Sequence, residues 1–367
     1  MTEKKAFAIL SCGKGSVRIM RNKCLDGMKA IAACMVIFIH IDLPGQTGVF
    51  IEALSRFAVP FFFMISGYFC YYNGKDASDK IPGKIFHIVK LMIFAMAFYF
   101  IWEISKRLVT GENLYRWIRE VTDRQNIMRL LLYNSTSPLR GHLWFLPALI
   151  YCYMLDYLIE RFHLRKIAFL CIPVLLGGLL WRGYFSSFFG YSYRIMEYRN
   201  WLFTGMSFYL LGQMFHEYLY WFRRKIGYIT LILIMTVGIG MTIWECSQFG
   251  AKEIYVGSIL ICISIFLLTV LWGTRIRMPE VLTAVGAKLA FPVYLFHLAV
   301  GDMMRVLAVA GNFEDNLAYL WIRPFAVCVF TIVMIALVYR GCSFWKKYDI
   351  VGILFRQFGL WRKGSPL

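Results

Sequence analysis

Residues 25–40 read LDGMKAIAACMVIFIH, a run apolar enough for a bilayer, with Lys29 and His40 eleven positions apart and little else polar between them. A helical rise of about 1.5 Å per residue puts them about 16 Å apart, close to three full turns, so both lie on one face. Ionisable side chains are costly in hydrocarbon and turn toward a bundle interior or a water-filled path. Two on one stripe therefore mark a candidate site. Asp26 stands one turn before Lys29, the i, i+3 spacing of an ion pair. His40 falls in the outer half of the helix, and an imidazole with an ordinary pKa of about 6.5 suits a base that is neutral at rest.

Runs of the same quality recur along the whole chain, at about 25–43, 51–72, 85–105, 142–159, 167–183, 200–220, 226–244, 254–273, 285–309 and 318–339. The 367 residues are 59% hydrophobic and only 17% charged, below the roughly quarter charged of a soluble domain. The expected fold is all-α: one polytopic transmembrane domain of about ten helices over 1–367. More than half of the 40 Lys and Arg residues fall on the side holding both termini, which the positive-inside rule makes cytoplasmic. The net charge of +19 is thus a topology signal, and a nucleic-acid partner is not expected.

The ten cysteines are scattered, with no CxxC or Cys/His spacing of a metal site, and read as small buried hydrophobes. No metal is expected. Residues 1–23 do not read as a cleavable signal peptide. In the outward segment 106–141, residues 113–133 alternate apolar residues with Arg116, Arg119, Arg124 and Arg129, the pattern of one or two interfacial helices. Arg116, Arg119, Arg124 and Arg140 either cradle an anionic glycan or rest on lipid headgroups.

Basic residues within the runs are Lys29, Arg56, Lys90, Arg305 and Arg323; Asp302 and Arg305, one turn apart, are spaced for an ion pair. In SRFAVPFFFMISGYFCYY (55–72), Pro60 frees a backbone carbonyl and Gly67, after Ser66, permits close helix contact. RGHLWFLP (140–147) opens the fourth run with His142 and Trp144, and FPVYLFH (291–297) carries Tyr294 and His297.

Taken in order and spacing, LDGMKAIAACMVIFIH, VPFFFMISGYF, HLWFLPALIYCY and LAFPVYLFHL resemble the acyltransferase family 3 of integral membrane proteins. The resemblance implies a ten-helix enzyme of a bacterial plasma membrane. Such an enzyme takes an acyl group, often acetyl from acetyl-CoA, on the cytoplasmic side and delivers it to a hydroxyl of an envelope glycan or small molecule. No bound cofactor is implied; the acyl-CoA is a substrate. His40 matches the family's base or acyl relay and Lys29 its basic partner. Lys84, His87 and Lys90 stand nearest the pair of arginines that opens the family's third helix, a donor-phosphate site. Arg56, Asp26, Ser66, His142, Trp144, Tyr294, His297, Arg305 and Arg323 are supporting or acceptor-side candidates.

The stretch 10–40 together with SPLRGHLWFL (137–146) also resembles the membrane half of the membrane-bound serine racemases of vancomycin-resistance clusters. No α/β racemase region follows within these residues, so racemisation is not implied for them. This resemblance suggests a module that handles serine or a similar solute, with Lys29, His40, Arg305 and Arg323 along a path. An acyltransferase, in contrast, is expected to show a route for a pantetheine arm from the inner face to His40.

Overall fold

The computed structural model describes residues 22–72 and 75–347. The start of the 10–40 stretch and most of the basic tail lie outside the described residues. Every regular element described is helical. The first expected run forms α1 (Lys23–His40), and the second is divided into α2 (Gly45–Ser55) and α3 (Ala58–Tyr68). The third is the long α4 (Lys75–Thr110), followed by the surface helices α5 (Leu114–Val121) and α6 (Arg124–Tyr133). A 3-10 turn (Gly141–Trp144) leads into α7 (Phe145–Arg161), then α8 (Arg165–Leu170) and α9 (Ile172–Gly183). A π-helical turn (Trp201–Met206) precedes α10 (Ser207–Glu217), which is followed by the short α11 (Leu219–Lys225). The remainder is α12 (Tyr228–Phe249), α13 (Val256–Trp272), α14 (Glu280–Lys288), α15 (Ala290–Ala310) and α16 (Leu317–Lys347).

The protein is an all-α polytopic membrane protein, and all ten expected runs are helical. Among the described residues, eight helical spans are long and apolar enough to cross a membrane. The other two runs fall short for physical reasons. The first carries Lys23, Asp26 and Lys29, and the sixth is interrupted by the π-helical turn. Phe86, Ile93 and Ile101 on α4 and Val329 and Leu337 on α16 are exposed, as lipid-facing side chains must be.

In lipid, small residues and polar contacts bring helices together. Gly67 of α3 lies against the backbone of Tyr209 in α10, and Gly212 of α10 against that of Met64 in α3. A Cβ at either position would enter its neighbour's main chain, so the close contact foreseen for Gly67 is realised. Nearby, the buried Asp156 of α7 accepts from the Tyr209 hydroxyl (2.7 Å) and the Gln213 amide (2.8 Å), tying α7 to α10.

Asn22 caps α1 by accepting from the Leu25 N–H at 3.0 Å, and its amide donates to the Thr269 carbonyl of α13 at 2.8 Å. Behind α1 lie α14, α15 and α16. There the sulfurs of Cys34 (α1) and Cys328 (α16) are 3.0 Å apart, about 1 Å beyond a disulfide bond. Membrane-permeant copper-phenanthroline should therefore join Cys34 to Cys328 within one chain, detected as a cross-linked peptide by mass spectrometry and lost in Cys34→Ser. Failure of this pair to react while others do would contradict the docking of α16 on α1.

Candidate active site

His40 ends α1, where Ile41 turns to extended backbone. Its ring is exposed to a cavity of about 50 Å³ lined by Arg56, Pro60, Trp144, Tyr198, Arg199 and Glu253, among others. Arg56 pairs with Glu52 one turn before it and with Glu253 at 2.8 Å. Arg199 reaches Glu253 at 3.3 Å and stands 5.8 Å from the Trp144 ring centre. Two guanidinium groups thus meet two carboxylates beside an imidazole, a polar and nearly charge-balanced wall. In the loop that closes this wall, burial and then Glu253 raise the pKa of Tyr198, while Arg199 and Arg56 oppose the shift. Its phenol stays protonated, able to donate to a ligand.

Behind His40 stand two more imidazoles. The His297 ring (α15) is 5.5 Å from that of His40 and nearly parallel to it, and the His142 ring is 6.2 Å from His40 and 5.3 Å from His297. Both are buried. The Tyr294 hydroxyl donates to the His142 carbonyl, and the Tyr99 hydroxyl of α4 donates to the Leu295 carbonyl at 2.7 Å. Four of the candidates, His40, His142, Tyr294 and His297, therefore converge, with Trp144 and Arg56 on the cavity side. Among the described residues, no group of three or more His, Cys, Asp or Glu is arranged to hold a metal ion.

A second cavity, of about 590 Å³, lies at the link from α3 to α4, toward the Lys29 end of α1 but lined by no residue of that helix. Tyr72, Asp79, Lys80, Lys84, His87 and Tyr153 are among its lining residues. The Lys84 ammonium donates to the Phe69 carbonyl at 2.8 Å and lies 5.0 Å from the Tyr72 ring centre, as does that of Lys80. Lys84 and His87 are thus brought together, and Lys80 joins them. Lys90 is not in this lining; six residues beyond Lys84, it is turned well round the helix and is exposed over Phe86 at 4.4 Å.

Lys29 belongs to this end and not to His40. It pairs with Asp26 at 3.1 Å, as its spacing predicts, and lies 5.7 Å from the Phe69 ring centre. Ser66 donates to the Phe62 carbonyl at 2.8 Å. Arg305 is exposed, and Arg323 lines neither cavity, so the four groups of a solute path are not gathered at one site. The two cavities share no lining residue, and Phe63, Phe145 and Leu146 are packed in the core between α3 and α7.

Two further expectations are corrected. Asp302 pairs with Arg140 and accepts from the Trp102 indole at 3.1 Å, not from Arg305 one turn away. Arg140 also reaches Glu103, so it is not available to the outward surface. Residues 113–133 do form two short helices, with Trp117 buried and Arg116 and Arg119 exposed.

The sequence reading missed Arg199, Glu253, Glu52, Lys80 and Tyr99. Glu52 lies one turn before Arg56, a signal that spacing alone carried. Arg199 and Glu253 sit in loops, where no periodicity marks them.

Residues 22–339 match the family model described as an acyltransferase domain. The chain belongs to the acyltransferase family 3. Within the family it is a membrane acyltransferase in the broad sense, a multi-pass protein of bacterial type. It is similar to an amino-acid racemase of Enterococcus faecalis, 26% identical over 60% of this chain and 31% of that protein. It is also similar to a serine/alanine racemase of Enterococcus gallinarum, 29% identical over 44% of this chain and 23% of that protein. The similarity thus takes in a third or less of these relatives' own lengths. No solved structure matches the chain.

Proposed function

We propose that the protein transfers an acyl group, acetyl in the simplest case, from acyl-CoA to a hydroxyl of an envelope glycan or small molecule. The observation that carries this reading is the pairing of a histidine-lined cavity at one end of α1 with a lysine- and histidine-lined cavity toward the other. With both termini cytoplasmic, the lysine end faces the acyl-CoA pool. There Lys80, Lys84 and His87 oppose the phosphates of the nucleotide. At the far end His40 takes the proton of the acceptor hydroxyl as its oxygen attacks the thioester carbonyl. The C–S bond breaks, and the departing thiolate recovers that proton as the free thiol.

The test is thioester turnover by the purified protein in detergent or nanodiscs, with envelope extract or serine as acceptor. Release of free CoA that depends on both protein and acceptor supports the reading; its absence with every acceptor overturns it. Lys84→Met is expected to raise KM for acyl-CoA roughly tenfold, a loss of about 1.4 kcal/mol, with kcat little changed. An unchanged KM would remove Lys84 from the donor site.

One observation favours a second reading. The charge-balanced wall of Arg56, Arg199, Glu52 and Glu253 suits a zwitterion, and the relatives bear amino-acid racemase names. A module that carries or presents serine would bind it there without a thioester. Uptake of labelled serine into proteoliposomes distinguishes the two.

A further inference from the structure

Each of the two buried imidazoles has one ring nitrogen accounted for and one not. A carbonyl can only accept, so the 2.8 Å contact of His297 Nδ1 with the Tyr294 oxygen puts the proton on Nδ1. In the neutral ring, Nε2 is then left with its lone pair. The same reasoning at His142, whose Nε2 contacts the Leu295 oxygen at 3.2 Å, leaves the lone pair on Nδ1. Both of these nitrogens, His297 Nε2 and His142 Nδ1, are buried without a hydrogen-bond partner. An unsatisfied buried polar group costs about 1–3 kcal/mol, and such groups invite an explanation beyond packing. Two acceptors side by side call for one donor.

The neighbouring groups narrow the choice. The Tyr99 and Tyr294 hydroxyls are already committed to carbonyls. Arg140 lies over Tyr99, 5.2 Å from its ring centre; its Nη2 is held by Glu103 and Asp302, and its Nε is bonded to neither imidazole. Arg56 and Arg199 face the cavity and are held by carboxylates. His40 has a ring N–H to give, stands against both imidazoles and is open to the cavity on its other side.

We propose that His297, with His142 beside it, is a positioning residue for His40: its free Nε2 is coupled to the His40 N–H through one water. This fixes which His40 nitrogen faces the cavity as the base. The inference rests on His40 being the base of the proposed reaction. As that nitrogen takes the acceptor's proton, the N–H on the other side of the ring is shared through that water with His297 Nε2. The His297 Nδ1 proton remains on the Tyr294 carbonyl. When the thiolate takes up the proton from His40, the rings return to their starting state, so no net proton is gained or lost. An imidazole here plays the part that a carboxylate plays in most base–orienter pairs.

The test follows His40 itself, so it does not depend on acyl transfer. Carbethoxylation of His40 by diethyl pyrocarbonate, read by peptide mass spectrometry across pH, reports the reactivity and protonation midpoint of its exposed nitrogen. In His297→Leu the rate is expected to fall roughly tenfold and the midpoint to move, while His297→Gln, which keeps an acceptor near Nε2, restores most of both. Where turnover is measurable, His297→Leu should lower kcat about 100-fold with KM for acyl-CoA unchanged. A folded His297→Leu with the wild-type rate and midpoint overturns the proposal. If that variant fails to fold, His297→Met and His142→Met, which also lack a ring acceptor, decide: wild-type labelling for His297→Met with a shifted midpoint for His142→Met would assign the role to His142 and overturn it for His297. Wild-type protein that labels normally but turns over no thioester would sink the acyltransferase reading and leave the coupling of His40 to His297 standing.

Discussion

Arg140→Met is expected to destabilise the folded protein by about 3 kcal/mol, the low end of the cost of breaking a buried ion pair. Arg140 joins Glu103 of α4 to Asp302 of α15, with side-chain exposures of 13%, 4% and 21%. Removing it strands two carboxylates unequally. Glu103 keeps Lys106 at 3.0 Å and Arg107 at 3.6 Å, whereas Asp302 keeps only the Trp102 indole among the partners described above. The penalty therefore falls mainly on Asp302, which is why the low end applies. Unfolding in detergent, followed by heat or by titration with sodium dodecyl sulfate, measures it. Adding Asp302→Leu to Arg140→Met should recover most of the loss, because an apolar pair costs less than a lone buried charge. A loss below about 0.5 kcal/mol, the range of ordinary surface substitutions, would show that the pair is solvated and does not tie α4 to α15.

The contrast between this ion pair and the one the spacing suggested shows what the sequence could and could not reveal. Ten runs of apolar residues were legible because a bilayer imposes length and composition on each helix separately. The Asp26–Lys29 pair was legible for the same reason, being contained within one turn of α1. Asp302 and Arg305 have the same spacing, yet Asp302 turns inward to Arg140 and Arg305 is exposed. Local spacing states which pairs can meet, and packing decides which do. The candidate site divides along the same line. His142, Tyr294 and His297 could be singled out as polar residues in apolar surroundings, but their approach to His40 depends on how α1, α7 and α15 cross. Lys29 and His40 stand toward opposite ends of α1: His40 lines a cavity, whereas Lys29 pairs with Asp26 beside Phe69 and lines neither. Arg199 and Glu253 were invisible as site residues because Arg56, which they flank, lies far from both in the chain.

His40→Gln is expected to lower kcat for acyl transfer by about 10²- to 10⁴-fold, the usual contribution of a positioned general base. The substitution keeps a polar side chain of similar length in the cavity but removes a nitrogen able to take a proton at neutral pH. His40 is exposed to the cavity and lies outside the buried core of α1, so the unfolding transition should stay within about 0.5 kcal/mol of wild type. KM for acyl-CoA should also hold, because the lysine-lined cavity shares no residue with the one His40 faces. Lys84→Met predicts the opposite split, a raised KM with kcat intact, and the two variants together test whether donor capture and proton removal are separated along α1. If His40→Gln raised KM and left kcat alone, His40 would belong to donor binding and the base would have to be sought elsewhere. If both parameters were unchanged, the cavity at the end of α1 would not be where the hydroxyl is activated. The charge-balanced wall around Arg56 and Glu253 would then be better explained as a solute site.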